Sequence, residues 1–248
     1  MSILWYKNTK HGRYEVRSAG NSVRLYTNGV FHSQFNPNHP ISGSLWDLLM
    51  LPAFFYKPGT IQRILVLGVG GGTVIRLLNH YVKPKEIIGV ELNRIHIQVA
   101  RRFFGVGQKQ ARLIHGDATT WLQDYEGPPF DMIIDDLFGE VDGEPSRAVQ
   151  ANAIWFNQLL PQLSPNGVLV TNFVSKEELK ACAYFSNQRV KGRFSSAFQF
   201  TIPRYENVVA AFMRPVATSQ QLRNNLIKNP DLDPRVNGNK LQYQIRRI

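Results

Sequence analysis

Arg63-Ile-Leu-Val-Leu-Gly-Val-Gly-Gly-Gly-Thr73 is the stretch whose reading decides the fold. Its apolar run reads as a strand buried on both faces. The run ends in a glycine-rich turn, after which Val74 to Tyr81 reads as a helix. Glycines between a strand and a helix allow a tight turn and a close approach of ligand to backbone. The helix start adds free N–H groups. Gly68, Gly70, Gly71 and Gly72 are therefore candidate residues for holding a nucleotide-type ligand.

Working outward, the same alternation repeats. Glu86 to Glu91 is a second strand, and Asn93 caps a helix whose apolar positions are Ile95, Val99 and Phe103. Ala111 to His115 is a third strand, and Gly116-Asp117-Ala118 opens a short helix around Trp121. Phe130 to Asp136 is a fourth strand ending in two acids, a helix follows from about Ala148 to Leu163, and Val168 to Phe173 is a fifth strand. Strands alternating with helices predict an α/β fold with a mostly parallel, doubly wound sheet. After a helix near 176–188, Ser195 to Ile202 and Asn207 to Arg214 predict a closing antiparallel hairpin.

The flanks differ in texture. Between residues 13 and 35, alternating polar and apolar side chains predict about three short antiparallel strands, with a hairpin turn at Asn28-Gly29. Ser42 and Ser44 are candidate caps for a helix from about Leu45 to Tyr56. Residues 215–248 predict a short helix near 219–228 and a partly ordered basic tail. The expected organisation is an N-terminal β element and helix (1–57), a ligand-binding α/β domain (58–214) and a C-terminal helix and tail (215–248).

Composition narrows the class. The 248 residues carry a net charge of +11, with 29 Lys+Arg against 18 Asp+Glu, and 43% are hydrophobic. That suits a folded domain with a real core, not disorder. One cysteine, Cys182, cannot form an internal disulfide, and the N-terminus lacks a signal-peptide apolar region. A reducing, cytoplasmic location is the expectation. The most apolar stretch, Leu48 to Tyr56, is too short for a membrane span, so no membrane partner is expected. The six histidines show no metal-ligand spacing, and no metal is expected. The charge is uneven: +4 over residues 1–60, −1 over 61–175 and +8 over 176–248.

Candidate chemistry gathers at the carboxyl ends of the predicted strands, where open α/β sheets bind ligands. Glu91 ends the second strand and is placed to accept hydrogen bonds from ribose hydroxyls. Asp117, with the Ala118 N–H beside it, is placed to accept from an adenine amino group, and it also reads as a helix cap. Asp135 and Asp136 end the fourth strand; adjacent residues point to opposite faces, so at most one faces the ligand. Glycines followed by acids on successive strands match an adenosylmethionine site better than a dinucleotide one. The sixth loop position is Thr73, not glycine.

At these residues the chain resembles the class I adenosylmethionine-dependent transferases, and within them the spermidine synthase-like group. The carrying segments are Leu65 to Gly72, Gly89-Val-Glu-Leu92, His115-Gly-Asp-Ala118 and Phe130 to Leu137, preceded by Asn28-Gly-Val-Phe-His32. The resemblance implies a Rossmann-like class I methyltransferase fold, cofactor roles for the glycine loop, Glu91 and Asp117, and a reaction-centre acid at Asp136. It implies S-adenosylmethionine or its decarboxylated form as donor, and a homodimer. Aminopropyl-transferring members carry an acid at the loop position held here by Gly71, and a second acid where this chain has Gly139. Their Tyr-His-Glu signature is Leu45-Trp46-Asp47 here.

Those departures set the functional expectation: an S-adenosylmethionine-dependent methyltransferase of unknown acceptor, with Asp136 orienting or deprotonating the nucleophile. The alternatives are a polyamine aminopropyltransferase, favoured by the acids Asp135, Asp136, Glu140, Asp142 and Glu144, and a non-catalytic binding module. His32, Trp46 and Glu140 are weaker substrate-binding candidates. A small-molecule substrate or an acidic acceptor is the expected partner; the basic ends keep nucleic acid open as a weaker reading.

Overall fold

The computed structural model describes residues 1–141 and 144–248; the side chains of 140, 141 and 144 also fall outside that description. Four strands open the chain: β1 (Ser2–Thr9), β2 (Gly12–Ala19), β3 (Ser22–Thr27) and β4 (Val30–Phe35), paired antiparallel in chain order. Asn28 and Gly29 both have positive φ, 52° and 85°, as the expected tight hairpin turn requires. The sequence led us to expect about three strands. The missed one, β1, is an edge strand whose Ile3, Leu4 and Tyr6 are all exposed, so no half-buried alternation marks it.

Next comes α1 (Leu45–Met50), capped by Ser44. The helix is shorter than expected because Pro52 carries the chain into a 3-10 turn over Leu51–Phe55. Asp47, wholly buried, accepts from the N–H groups of Ser42 (3.1 Å), Gly43 (2.7 Å) and Ser44 (3.1 Å). It satisfies donors that the helix start and its approach would otherwise bury unpaired.

The main sheet holds β5 (Arg63–Leu67), β6 (Glu86–Glu91), β7 (Arg112–His115), β8 (Phe130–Asp135), β11 (Leu163–Phe173), β12 (Ser196–Thr201), β13 (Val208–Met213) and β14 (Gln244–Arg247). Between β8 and β11, β9 (Phe138–Val141) and β10 (Glu144–Arg147) form a separate hairpin. The eight strands lie in the order β14-β12-β13-β11-β8-β5-β6-β7. The run from β11 to β7 is parallel, and β13, β12 and β14 add on antiparallel. The chain order reverses between β5 and β8, which opens a crevice at their carboxyl ends.

Both faces of this sheet are covered. Ile64 and Val66 of β5 pack into one core with Leu48, Ile75 and Leu226; Leu65 and Leu67 pack into the other with Trp155, Phe156 and Phe212. This explains the unbroken apolar run in β5, and each such side chain contributes roughly 1.5–3 kcal/mol by leaving water. Helices α2 (Thr73–Leu77), α3 (Arg94–Phe103), α4 (Ala118–Gln123) and α5 (Ala153–Leu159) follow their strands. Helix α5 starts later than expected because Asn152 caps it, its side chain accepting from the Trp155 N–H. Three short helices, α6 (Lys176–Ala181), α7 (Ala183–Ser186) and α8 (Gln188–Lys191), replace the single one expected near 176–188.

The C-terminal stretch is also more structured than its composition suggests. In α9 (Ser219–Leu226), Leu222 and Leu226 are fully buried, as is Leu232 beyond it. Asn225 donates its side-chain amide to the carbonyls of Phe54 (3.0 Å) and Tyr56 (2.9 Å). Strand β14 then pairs with β12 at the sheet edge. Residues 215–248 are thus part of the core rather than a partly ordered tail. Among the described residues, no helix is long and apolar enough to cross a membrane.

Candidate functional site

The crevice is a cleft of about 1490 Å³, walled by the carboxyl ends of β5 to β8 and β11 on one side and by the N-terminal sheet on the other. Gly68 and Gly70 line it, together with Glu91, Asp117, Ala118, Asp136, His32 and Trp46. Gly71 and Gly72 stand behind that lining. The side chain of Glu140 lies outside the described residues.

The glycine loop is pressed against its surroundings. Gly68 has φ of +84°, and a Cβ on it would stand 2.1 Å from the Asp136 carbonyl oxygen. Only glycine permits that approach. Gly71 is constrained from the other side: its N–H donates to Ser33 Oγ at 2.7 Å, and a Cβ would meet Ser33 Cβ at 2.7 Å and Phe104 Cζ at 2.8 Å. Strand β4 thus fills the place where a side chain at this position would go. Thr73 ties the same strand down, accepting from the Gln34 N–H (3.1 Å) and donating to the Gln34 carbonyl (3.0 Å).

Glu91 is buried at the end of β6. Its Oε2 accepts from the N–H groups of Val69 and Gly70, both at 2.9 Å, and its Oε1 accepts from the Asn93 N–H at 2.8 Å. A carboxylate has about four acceptor positions. The main chain takes three, leaving one on Oε1. Burial opposes the charge on Glu91, but His96 and the N–H groups of Asn93 and Gly70 more than offset it and hold the carboxyl below its ordinary value. His96 Nδ1 stands 3.7 Å from Oε1, and its Nε2 is 2.9 Å from Thr27 Oγ1.

Asp117 caps α4. Its Oδ1 accepts from the N–H groups of Thr119 (2.8 Å) and Thr120 (3.2 Å) and from the Thr119 hydroxyl. The Thr119 hydroxyl leads in holding its carboxyl below the ordinary range; burial opposes it, and the Thr120 and Thr119 N–H groups add to the lowering. These bonds all fall on Oδ1, and Asp117 lines the cleft.

The two acids ending the fourth strand separate as the pleat demands. Asp135 is fully buried away from the cleft, where its Oδ2 accepts from Arg147 Nη2 (2.8 Å) and Trp155 Nε1 (3.0 Å). Asp136 faces the cleft, and its Oδ1 accepts from the Asn172 side-chain amide at 2.8 Å. Asn172 is in turn held by the Asn207 amide at 3.2 Å. Enclosure by the cleft walls pushes the Asp136 carboxyl up to about 7; Asn172 and Arg147 pull it down, while the charges of Asp135 and Glu91 push it further up. A carboxyl balanced near neutrality beside a cleft floor is suited to proton transfer.

His32 is held neutral, its ring lowered to about 4 by burial and then by neighbouring His96, with Glu91 partly opposing. Phe31 and Trp46 meet edge to face with centroids 5.2 Å apart at the cleft wall. Phe138, Pro145, Asn172, Tyr205 and Asn207 also line the cleft. Sequence reading missed Asn172, Asn207, Tyr205, Ser33 and His96. Asn172 carries a legible signal, a polar residue near the carboxyl end of the buried fifth strand. Ser33 and His96 carry none, since their roles depend on how the N-terminal sheet packs.

The residues fit an adenosyl donor in two respects. Gly68 and Gly70 present bare backbone to the cleft, and an acid with a free acceptor position sits at the next strand end. Against known proteins, the family model for the spermine/spermidine synthase domain matches residues 47–224, well over half the chain. Polyamine aminopropyltransferase 2 of Caldanaerobacter subterraneus subsp. tengcongensis is 33% identical over 106 residues, 42% of this chain and 35% of that protein. The chain's matches span between 35% and 62% of the length of the curated relatives. In fold, a probable spermidine synthase from Corynebacterium glutamicum superposes with a TM-score of 0.74 at 16% identity, covering 100% of this chain and 91% of that one. Human methyltransferase-like protein 13 in complex with SAH superposes with a TM-score of 0.56 at 20% identity, covering 74% and 90%. With the domain matched across its glycine loop, all the cleft acids and the closing hairpin, this chain belongs to the spermine/spermidine synthase family.

Proposed function

We propose that this chain transfers a carbon group from the sulfonium of an adenosylmethionine-type donor to an amine nucleophile held beside Asp136. The observation that carries this reading is the Asp136 carboxyl, raised to about 7 and fixed by Asn172 at the cleft floor. Such a carboxylate takes the proton an amine sheds as it attacks, and is a poor partner for an acceptor with no proton to give. The donor supplies an electrophilic carbon: the bond from that carbon to nitrogen forms as the carbon–sulfur bond breaks, and sulfur leaves with the electron pair as a neutral thioether. The chain's residues do the rest. Glu91 and Asp117 hold the nucleoside, the glycine loop lets it approach, and Asp136 and Asn172 set the nucleophile in line.

The transferred group in the first reading is the 3-aminopropyl chain of the decarboxylated donor. The family assignment and the curated relatives, named as polyamine aminopropyltransferases, support it. A second reading, methyl transfer from S-adenosylmethionine itself, is favoured by Gly71. No acid stands there to hold the donor's amine, and Ser33 and Phe104 occupy its place. Calorimetry with the two donors separates the readings. Tighter binding of the decarboxylated donor, with aminopropyl transfer to a diamine, supports the first. Tighter binding of S-adenosylmethionine and its homocysteine product, with no transfer to diamines, supports the second. Failure of both donors to bind at millimolar concentration overturns both.

A further inference from the structure

Glu91 is reached from the N-terminal sheet by two bridges. Tyr14 of β2 accepts from the Asn93 side-chain amide at 2.9 Å, and the Asn93 N–H donates to Glu91 Oε1. Thr27 of β3 meets His96 Nε2 at 2.9 Å, and the opposite ring nitrogen, Nδ1, faces Glu91 Oε1 at 3.7 Å. The second bridge is buried throughout: Thr27, His96 and Glu91 are each less than a tenth exposed. Tyr14 and His32 pack against the His96 ring with centroids 5.9 and 5.0 Å away.

The one acceptor position that the main chain leaves on Glu91 is on Oε1, the oxygen His96 faces. At 3.7 Å the ring is too far to consume that position by a hydrogen bond, yet close enough to act on the carboxylate electrostatically. We infer that His96, locked by the Thr27 hydroxyl, is a positioning residue that sets the rotation of the Glu91 carboxylate and so presents Oε1 to a ribose hydroxyl. This rests on the reading that the cleft takes an adenosyl donor through Glu91. It assigns the N-terminal sheet a part in recognising the donor as well as in roofing the acceptor side.

The test measures calorimetric affinity for 5′-methylthioadenosine and for its 2′,3′-dideoxy analogue. His96→Val should weaken the ribonucleoside about tenfold, the scale of a lost interaction with a charged group, and leave the dideoxy analogue unchanged. Thr27→Val should weaken the ribonucleoside in the same selective way. His96→Asn, whose amide nitrogen takes the place of Nδ1 but has no atom for Thr27 to hold, should restore part of the affinity. A merely structural role would weaken both nucleosides together, and that outcome overturns the inference. So does a ribonucleoside affinity in His96→Val equal to that of the native chain. Should the native chain bind neither nucleoside, the functional reading falls and this inference with it. Should His96→Val fail to fold, the pair of Thr27→Val and His96→Asn carries the same selective comparison.

Discussion

Asp136 stands under opposing demands: burial and the charges of Asp135 and Glu91 favour its protonated form, while Asn172 and Arg147 favour the carboxylate. As a base it must be deprotonated, so kcat should be low below pH 7 and rise to a plateau above it, measured with whichever donor the chain binds. Asp136→Asn should lower kcat by about 10²–10⁴ with donor affinity nearly unchanged, since the amide keeps the shape and loses only the base. The same raised value bears on stability. The folded state holds this proton more tightly than the unfolded chain does, so stability from this group is lost as pH rises from the ordinary carboxyl range through 7. Asp136→Asn should therefore gain more in Tm over the native chain at pH 8 than at pH 5. At Gly71 the expectation is steric. Gly71→Asp, which writes in the acid of aminopropyl-transferring relatives, should lose about 1–3 kcal/mol in denaturant unfolding through collision with Ser33 and Phe104, without improving affinity for the decarboxylated donor. At this scale the sequence was a good guide to charged residues at strand ends, because strand-end position and alternation fix which way they point. It was a poor guide to neutral partners such as Asn172 and His96, whose roles come from neighbours far along the chain.

Elements were legible where periodicity was strong. The parallel strands and the closing hairpin were expected within a few residues of where they lie. The β9–β10 hairpin was not, because Phe138-Gly-Glu-Val and Glu144-Pro-Ser-Arg147 show no alternating face and pair only with each other. It is fixed at its end by Arg147, which donates to Asp135, to the Asn172 carbonyl (2.7 Å) and to the Val149 carbonyl. The C-terminal segment was misjudged for a different reason. Its basic and amide side chains dominate its composition, yet Ala217, Leu222, Leu226, Leu232 and Leu241 are buried. Leu226→Ala should cost about 2–5 kcal/mol by denaturant unfolding, a loss that a frayed tail would not show.

For the whole molecule, the net charge of +11 is a property of the periphery. The segment holding every cleft acid is near neutral, so the excess acts as self-repulsion rather than as a field in the cleft. Tm should rise as salt goes from about 0.01 M to about 0.1 M, where the screening length falls from about 30 Å to about 10 Å. The N-terminal sheet gives the molecule its other large-scale property. Because Ser33 and Gln34 of β4 are hydrogen-bonded to Gly71 and Thr73, the sheet cannot lift off without breaking its bonds to the glycine loop and the start of α2. The floor of the cleft and its N-terminal wall therefore form one frame, and local opening of the N-terminal sheet and of the glycine loop should occur together, measured as shared hydrogen-exchange protection.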